Sequence, residues 1–411
     1  MTGHPPADDA TPHAPPLAGP ATAPGPATDP VRSDWNPRGP QVRRNPVAAY
    51  DELRSRCPVA RDASGAWTLF THADVTAAAL DHENFSNAVS RYLQIPNGLD
   101  GPGHTAFRAL IERYFTAERI AKLEPTLEQV ATDLMGQIDI PGEIDAVEIG
   151  SHFAVRAQTA WLGWPEHLED ELLEWMKDHR AATRSRDRSR TAEVAQRFDA
   201  IIRSLISARR EAGHDAPCDI TTELLRDRLD GRELTDEEIV SILRNWTGGD
   251  LGSMALCAGV VLTYLADHPH LQNRLRSGVT GREFNAILDE ILRIDDPFVA
   301  NRRITTEPVA VGGRQLAAGE QVILNWTAAN RDPRIFGDPD TFDPAGNAPY
   351  NLVYGIGKHV CPGRPLATLE LRALTRAILN ATSMIRPDPG RTRERELPPG
   401  GGFATAPLRL R

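Results

Sequence analysis

One cysteine stands among glycines in Tyr354-Gly355-Ile356-Gly357-Lys358-His359-Val360-Cys361-Pro362-Gly363, just ahead of the helical pattern Leu366-Ala367-Thr368-Leu369-Glu370-Leu371. A thiolate that ligates a metal needs hydrogen-bond donors around its sulfur, and Gly355, Gly357 and Gly363 let backbone N–H groups approach without Cβ collisions. The sulfur lies near a helix N-terminus, whose dipole favours negative charge, so Cys361 is expected as a thiolate. On haem iron such a ligand pushes electron density onto the metal and favours O–O cleavage. A buried structural thiol is the plainer reading. A zinc site with His359 lacks further ligands at metal spacing, because Cys57, Cys218 and Cys257 lie far away in sequence.

The stretch resembles the haem-binding loop of the cytochrome P450 monooxygenases, Phe-Gly-x-Gly-x-His-x-Cys-x-Gly followed by Leu-Ala. Only Tyr354 departs, keeping the aromatic packing but adding a hydroxyl that needs a partner. The resemblance covers about residues 46–411 and implies haem b, with Cys361 as iron ligand and Tyr354, Gly355 and Gly363 around the ring. It also implies that His104 and Arg108, in Asp100-Gly101-Pro102-Gly103-His104-Thr105-Ala106-Phe107-Arg108, join Arg303 and His359 in holding the haem carboxylates. Guanidinium and imidazole donors suit that task. Arg302 competes with Arg303, and spacing to Gly313 favours the latter.

Glu290 and Arg293 lie three apart among Ile287, Leu288, Ile291, Leu292 and Ile294, and a buried Arg must have partners. In the resembled family this Glu-x-x-Arg pair is a structural lock beneath the haem. The Asn330-Arg331-Asp332-Pro333 segment also resembles the family, but the arginine usual soon after it is missing from 342–346, so its contacts must be met otherwise.

In Arg244-Asn245-Trp246-Thr247-Gly248-Gly249-Asp250-Leu251-Gly252-Ser253 two adjacent glycines interrupt a helical pattern. Each costs about 1 kcal/mol relative to Ala, which a groove for oxygen and substrate, or a simple kink, would explain. By resemblance Asp250 is the acid that passes protons towards the iron, yet Leu251 replaces the usual Thr. Ordered water, Thr247, Ser253 or a substrate hydroxyl is expected to take the missing donor's place; a structural carboxylate is the alternative for Asp250. The same residues resemble a self-sufficient bacterial subgroup whose reductase is fused behind the haem domain.

The elements that must position these residues are mainly helical. Apolar residues recur at three and four spacing through most of 72–300, and short β-like pieces follow Arg303, giving a mainly α fold with a small β subdomain. The resemblance places the haem between the long central helix and the helix after the cysteine. Residues 1–45, rich in Pro and Ala, read as a disordered tail, and 46–411 as a single domain. The apolar run 251–266 is short for a bilayer span and reads as a buried central helix. With no basic-then-apolar leader and scattered cysteines, a cytoplasmic protein with reduced thiols and no membrane partner is expected. A net charge of −10 argues against nucleic acid.

The expected reaction is insertion of one atom of O2 into a small to medium hydrophobic or aromatic substrate, by hydroxylation or O-dealkylation; an O-methyl aromatic ether is one specific candidate. Substrate contacts are expected from 85–99, 175–190, 246–249, 299–301, with Asn301 as polar anchor, and 402–404. No electron-transfer module is evident in the chain, so electrons are expected from a ferredoxin or flavodoxin with its reductase, or from a fused reductase beyond this sequence. Lys358 and Arg364 would meet an acidic partner on the cysteine side. The rivals are a peroxide-driven peroxygenase and a non-catalytic haem- or ligand-binding protein of the same fold.

Overall fold

A computed structural model describes residues 33–411. Its axis is one helix, Asp236–Asp267, opened by a capping box in which Thr235 and Glu238 exchange side-chain and backbone hydrogen bonds. It is long and apolar enough to cross a membrane, but most of its apolar window is buried inside the protein, as expected for a core helix. It lies tightly against Ala146–Leu162. A Cβ on Gly259 would come within 2.7 Å of Val147, and one on Gly150 within 2.6 Å of Ala258, so a glycine from each helix permits the approach. The helices Ala117–Met135 and Arg364–Ala381 close the body on the cysteine side.

The β part is a five-stranded sheet in the order Val59–Arg61, Trp67–Leu69, Gln321–Asn325, Ala300–Thr305, Phe85–Ser86. The second and third of these strands run parallel and the other pairs antiparallel. Strand alternation separates the neighbouring arginines: Arg303 is buried and reaches the cavity wall while Arg302 is exposed.

Order begins earlier than the boundary at residue 46. Trp35 bridges to Asp62 and packs edge-on against Phe70 at 5.2 Å and Tyr50 at 6.4 Å, and Pro40–Arg44 is helical with Val42 buried. Two apolar anchors suffice to order a stretch whose average composition reads as tail. The rest of the expected tail, 1–32, lies outside the described residues.

The Glu290–Arg293 pair is buried in helix Gly281–Ile294, with two hydrogen bonds of 2.9 Å. Arg293 also donates to the carbonyls of Asn330 (2.9 Å), Pro339 (3.1 Å) and Thr341 (3.2 Å). The contacts expected of the missing arginine are met by Asn347, whose Nδ2 donates to Glu290 Oε1 at 2.7 Å, with the Asp343 N–H adding a bond of 3.0 Å. Removing Arg293 would strand a buried carboxylate, so Arg293→Ala should lower stability by about 3–5 kcal/mol. Asn347→Ala, which leaves the ion pair, should cost about 1–2 kcal/mol. Urea unfolding of both variants checks the order.

Candidate active site

A cavity of ≈ 290 Å³ lies between the central helix and the cysteine loop. Trp246, Gly249, Asp250, Ser253 and Cys257, at helical spacing, form one wall; Tyr354, Gly355, His359, Cys361 and Gly363 belong to the opposite one. The two adjacent glycines have separate tasks. Gly249 faces the cavity with nothing near its missing Cβ, whereas a Cβ on Gly248 would touch Trp175 and Phe198 at 3.7 Å. The helix continues unbroken through both, so they make a groove rather than a break.

In the loop, Gly355 and Gly357 adopt φ of +73° and +74°, which L side chains rarely accept, and the Cys361 N–H donates to Tyr354 O at 2.9 Å. Gly363 has an ordinary φ of −79°. The Tyr354 hydroxyl finds its partner in Thr368 Oγ1 at 3.2 Å. Gly363 and Arg364 backbone N–H groups bond the Cys361 sulfur and lower its pKa, but burial outweighs them and leaves the thiol above its ordinary value. The expected thiolate is therefore not made by the helix terminus alone. A metal cation bound at the sulfur would supply the remaining charge stabilisation, as metal binding to thiols generally does.

Cationic and imidazole groups gather at one end. His359 and Arg303 are on the wall; His104 is not, and lies behind His359 with ring centroids 4.1 Å apart, while Arg303 makes a single hydrogen bond, from Nη1 to the carbonyl of Arg302 at 2.8 Å. Burial holds His359 down at about 3, helped by His104, Arg303 and Lys358; burial also lowers His104, and brings Arg303 to about 10. His104 Nε2 is buried without a partner. Arg108 is set apart: its Nη1 donates to Val360 O at 2.6 Å and its Nε to Glu112 at 2.6 Å, so it clamps the loop backbone and is not on the cavity wall.

These groups crowd one another with Asp100 as the carboxylate common to them. An accessible sulfur at the cavity wall and an end short of negative charge fit a flat metallated ring bearing two carboxylates. The cofactor implied by the sequence therefore suits the residues present.

The other end is acidic. Asp250 and Glu370 are buried between the central helix and the helix after the cysteine, beside Gln158 of Ala146–Leu162. Burial pushes Asp250 up to about 7, against the pull of Gln158 and Glu370, and raises Glu370 well above the carboxylate range, with Asp250 adding to the rise. Asp250 Oδ2, both Glu370 oxygens and the Gln158 amide atoms have no hydrogen-bond partner. Such buried polar atoms call for water or an exchangeable proton.

Of the candidate relay hydroxyls, Ser253 is on the wall, donating to Gly249 O at 2.5 Å and Asp250 O at 3.2 Å. Thr247 is not: it is fully buried off the cavity, as is Leu251, because both fall on the opposite phase of the helix. Glu370 and Gln158 were missed. A lone acid inside the apolar run Leu369-Glu370-Leu371 could have flagged the first.

Among the regions expected to touch substrate, 85–99 contributes Asn87, Pro96 and Asn97, and 299–301 contributes Asn301. The segments 175–190 and 402–404 do not reach the wall. Asn301 Oδ1 is taken by Trp326 Nε1 at 2.8 Å, so only its amide N–H groups remain for another partner. Sequence reasoning missed Phe115 and Trp161, which join Trp246 with centroids 5.1–5.6 Å apart in an aromatic wall. Arg364 is less free than expected, since it donates to Asp289 at 3.0 Å and lies over the Tyr354 ring.

An unfolded chain ionises Asp250 near 3.8, whereas the folded chain holds the proton to about 7. The unfolded state thus binds fewer protons across that window, and this group makes stability fall as pH rises through it. Asp250→Asn should come close to the parent near pH 4 and exceed it near pH 8 by up to about 4 kcal/mol, as read by urea unfolding.

The Cytochrome P450 family model matches residues 175–410. The cyclomarin C epoxidase of Salinispora arenicola is 32% identical over 356 residues, covering 81% of this chain and 88% of that protein. The erythromycin C-12 hydroxylase of Saccharopolyspora erythraea is 29% identical, covering 80% and 84%. Among solved structures, the open cytochrome P450 Eryk from S. erythraea superposes with a TM-score of 0.79 at 26% identity, covering 89% of this chain and 95% of that one.

Proposed function

This chain belongs to the cytochrome P450 family as a haem-thiolate monooxygenase of the bacterial type, and we propose that it carries haem b and inserts one atom of O2 into a compact apolar or aromatic substrate by hydroxylation or O-dealkylation. The observation that carries this reading is the Cys361 sulfur at a cavity whose wall also holds His359 and a buried Arg303 that makes no ion pair among the described residues. When bound, the haem supplies oxygen activation, which the thiolate promotes.

The chain's own residues do the rest. Gly363 and Arg364 N–H groups temper the sulfur's basicity, Arg303 and His359 take up the ring's carboxylates, and His104 backs the His359 ring. Arg108 holds the loop through Val360. Asp250, poised near neutrality, holds a proton at its carboxyl and passes it into the cavity through water beside Ser253, with Glu370 behind it as the proton reserve and Gln158 beside both as a polar neighbour. Because Leu251 lies off the wall, its replacement of the usual Thr removes no hydroxyl there, which weakens the motive for a peroxide-driven reaction.

The aromatic wall of Phe115, Trp161 and Trp246 favours flat apolar partners. The relatives are named for action on cyclomarin C and erythromycin, and a screen should span small aromatic and terpenoid compounds. A Soret shift on displacement of iron-bound water identifies binders, and product formed only with O2 and an electron donor marks the reaction. Asp250→Asn should slow product formation at least about tenfold with substrate affinity kept; unchanged turnover and coupling would remove it from the relay. Cys361→Ser should lose the thiolate-type spectrum of the reduced carbonyl form.

Electrons would come from a ferredoxin or flavodoxin docking on the cysteine face, or from a fused reductase. With Arg364 tied to Asp289, Lys358 is the freer positive charge there. Lys358→Glu should slow reduction several-fold at low salt and little at high salt, as stopped-flow traces would record.

A further inference from the structure

Asp100 precedes helix Gly101–Glu112 at the N-cap position, where Asp is favoured because its side chain can bond the helix's free N–H groups, yet it makes no such bond. Its carboxylate turns back to the edge strand of the sheet. Oδ2 accepts from Ser86 Oγ at 2.6 Å and from the Asn87 N–H at 3.0 Å, and Oδ1 accepts from Asn87 Nδ2 at 3.0 Å. Asn87 is 5% exposed, reaches the cavity wall, and makes a second bond from Nδ2 to His359 Nε2 at 2.8 Å.

These contacts have one consistent hydrogen assignment. A carboxylate oxygen only accepts, so Asp100 fixes which end of the Asn87 amide carries its hydrogens. Both amide hydrogens are then committed, one to Asp100 and one to His359. A neutral imidazole that accepts at Nε2 carries its proton on Nδ1. The strand places this device correctly: Phe85 pairs with Thr305 and Ser86 with Ile304, so Asn87 follows the sheet edge towards Arg303.

We propose that Asn87 is a positioning residue for the cofactor's carboxylates: held by Asp100, it fixes the His359 ring as an Nδ1–H donor, so that a carboxylate is met through Nδ1. This rests on the haem reading of the cavity and adds to it two residues that act through His359. The arrangement matches the general way in which an outer hydrogen-bond partner sets the tautomer and orientation of an imidazole.

The holoprotein, labelled with ¹⁵N-histidine and held in the diamagnetic reduced carbonyl form, reports the tautomer directly. The parent should show His359 protonated on Nδ1. Asn87→Asp, which presents an acceptor to the ring, should move the proton to Nε2. Asn87→Ala should speed haem loss to excess apomyoglobin roughly tenfold, and Asp100→Asn, which frees the amide to turn but keeps its shape, should fall between Asn87→Ala and the parent.

A parent ring protonated on Nε2, or on both nitrogens, overturns the proposal, as does an Asn87→Ala variant that keeps the parent's haem-loss rate and tautomer. A purely structural role would lower the unfolding temperature of these variants without moving either readout. A parent chain that takes up no haem instead removes the reading of the whole cavity, and is told apart by its missing Soret band.

Discussion

The position of the Cys361 sulfur depends on a chain of buried hydrogen bonds that starts far from it. Arg293, locked to Glu290, grips the carbonyl of Asn330; the Asn330 side chain takes the Leu352 N–H at 2.7 Å; and the Leu352 carbonyl takes the Gly355 N–H at 2.8 Å, where the loop turns. From the other side Arg108 grips Val360. A loop of glycines has little rigidity of its own, so the sulfur is precise only because buried and part-buried donors and acceptors on the surrounding elements hold the loop backbone. That explains why a buried ion pair of doubtful net stabilising value sits in the core: its contribution is to register rather than to stability alone.

Charge is arranged around the sulfur with the same economy. One end of the cavity collects groups that burial and mutual repulsion keep neutral or weakened, and the other collects carboxyls that burial keeps protonated. Neither end is balanced internally. On the proposed reading an anionic ring completes the first and water with protons in transit the second, so the energetic defects of the isolated chain mark where cofactor and reaction would belong. The raised thiol belongs to the same pattern, because burial penalises its thiolate form.

The legible parts were local ones. The cysteine loop, the Glu-x-x-Arg pair and the helix holding Asp250 could be read because their chemistry depends on residues within about one or two helical turns of each other. Composition misled at the start of the domain, where Trp35 and Val42 order a stretch that averages as a tail. Helical phase misled at Thr247, which shares the central helix with Asp250 yet faces away from the cavity. Asn347 could not be foreseen, since it answers Glu290 from 57 residues away with a different side chain from the one the family pattern uses.

By itself the sequence determined the chemical identity of the centre: a cysteine among glycines ahead of a helix, with imidazole and guanidinium groups in recognisable settings, is specified by covalent neighbours. Only the tertiary structure decided the company those groups keep. Glu370 and Gln158 meet Asp250, Asn87 meets His359, and Phe115 and Trp161 meet Trp246, because packing brings together segments separated by long stretches of chain. Burial, which pushes Asp250, Glu370, His359 and the Cys361 thiol from their ordinary values, is likewise a property of the packed molecule and has no counterpart in residue order.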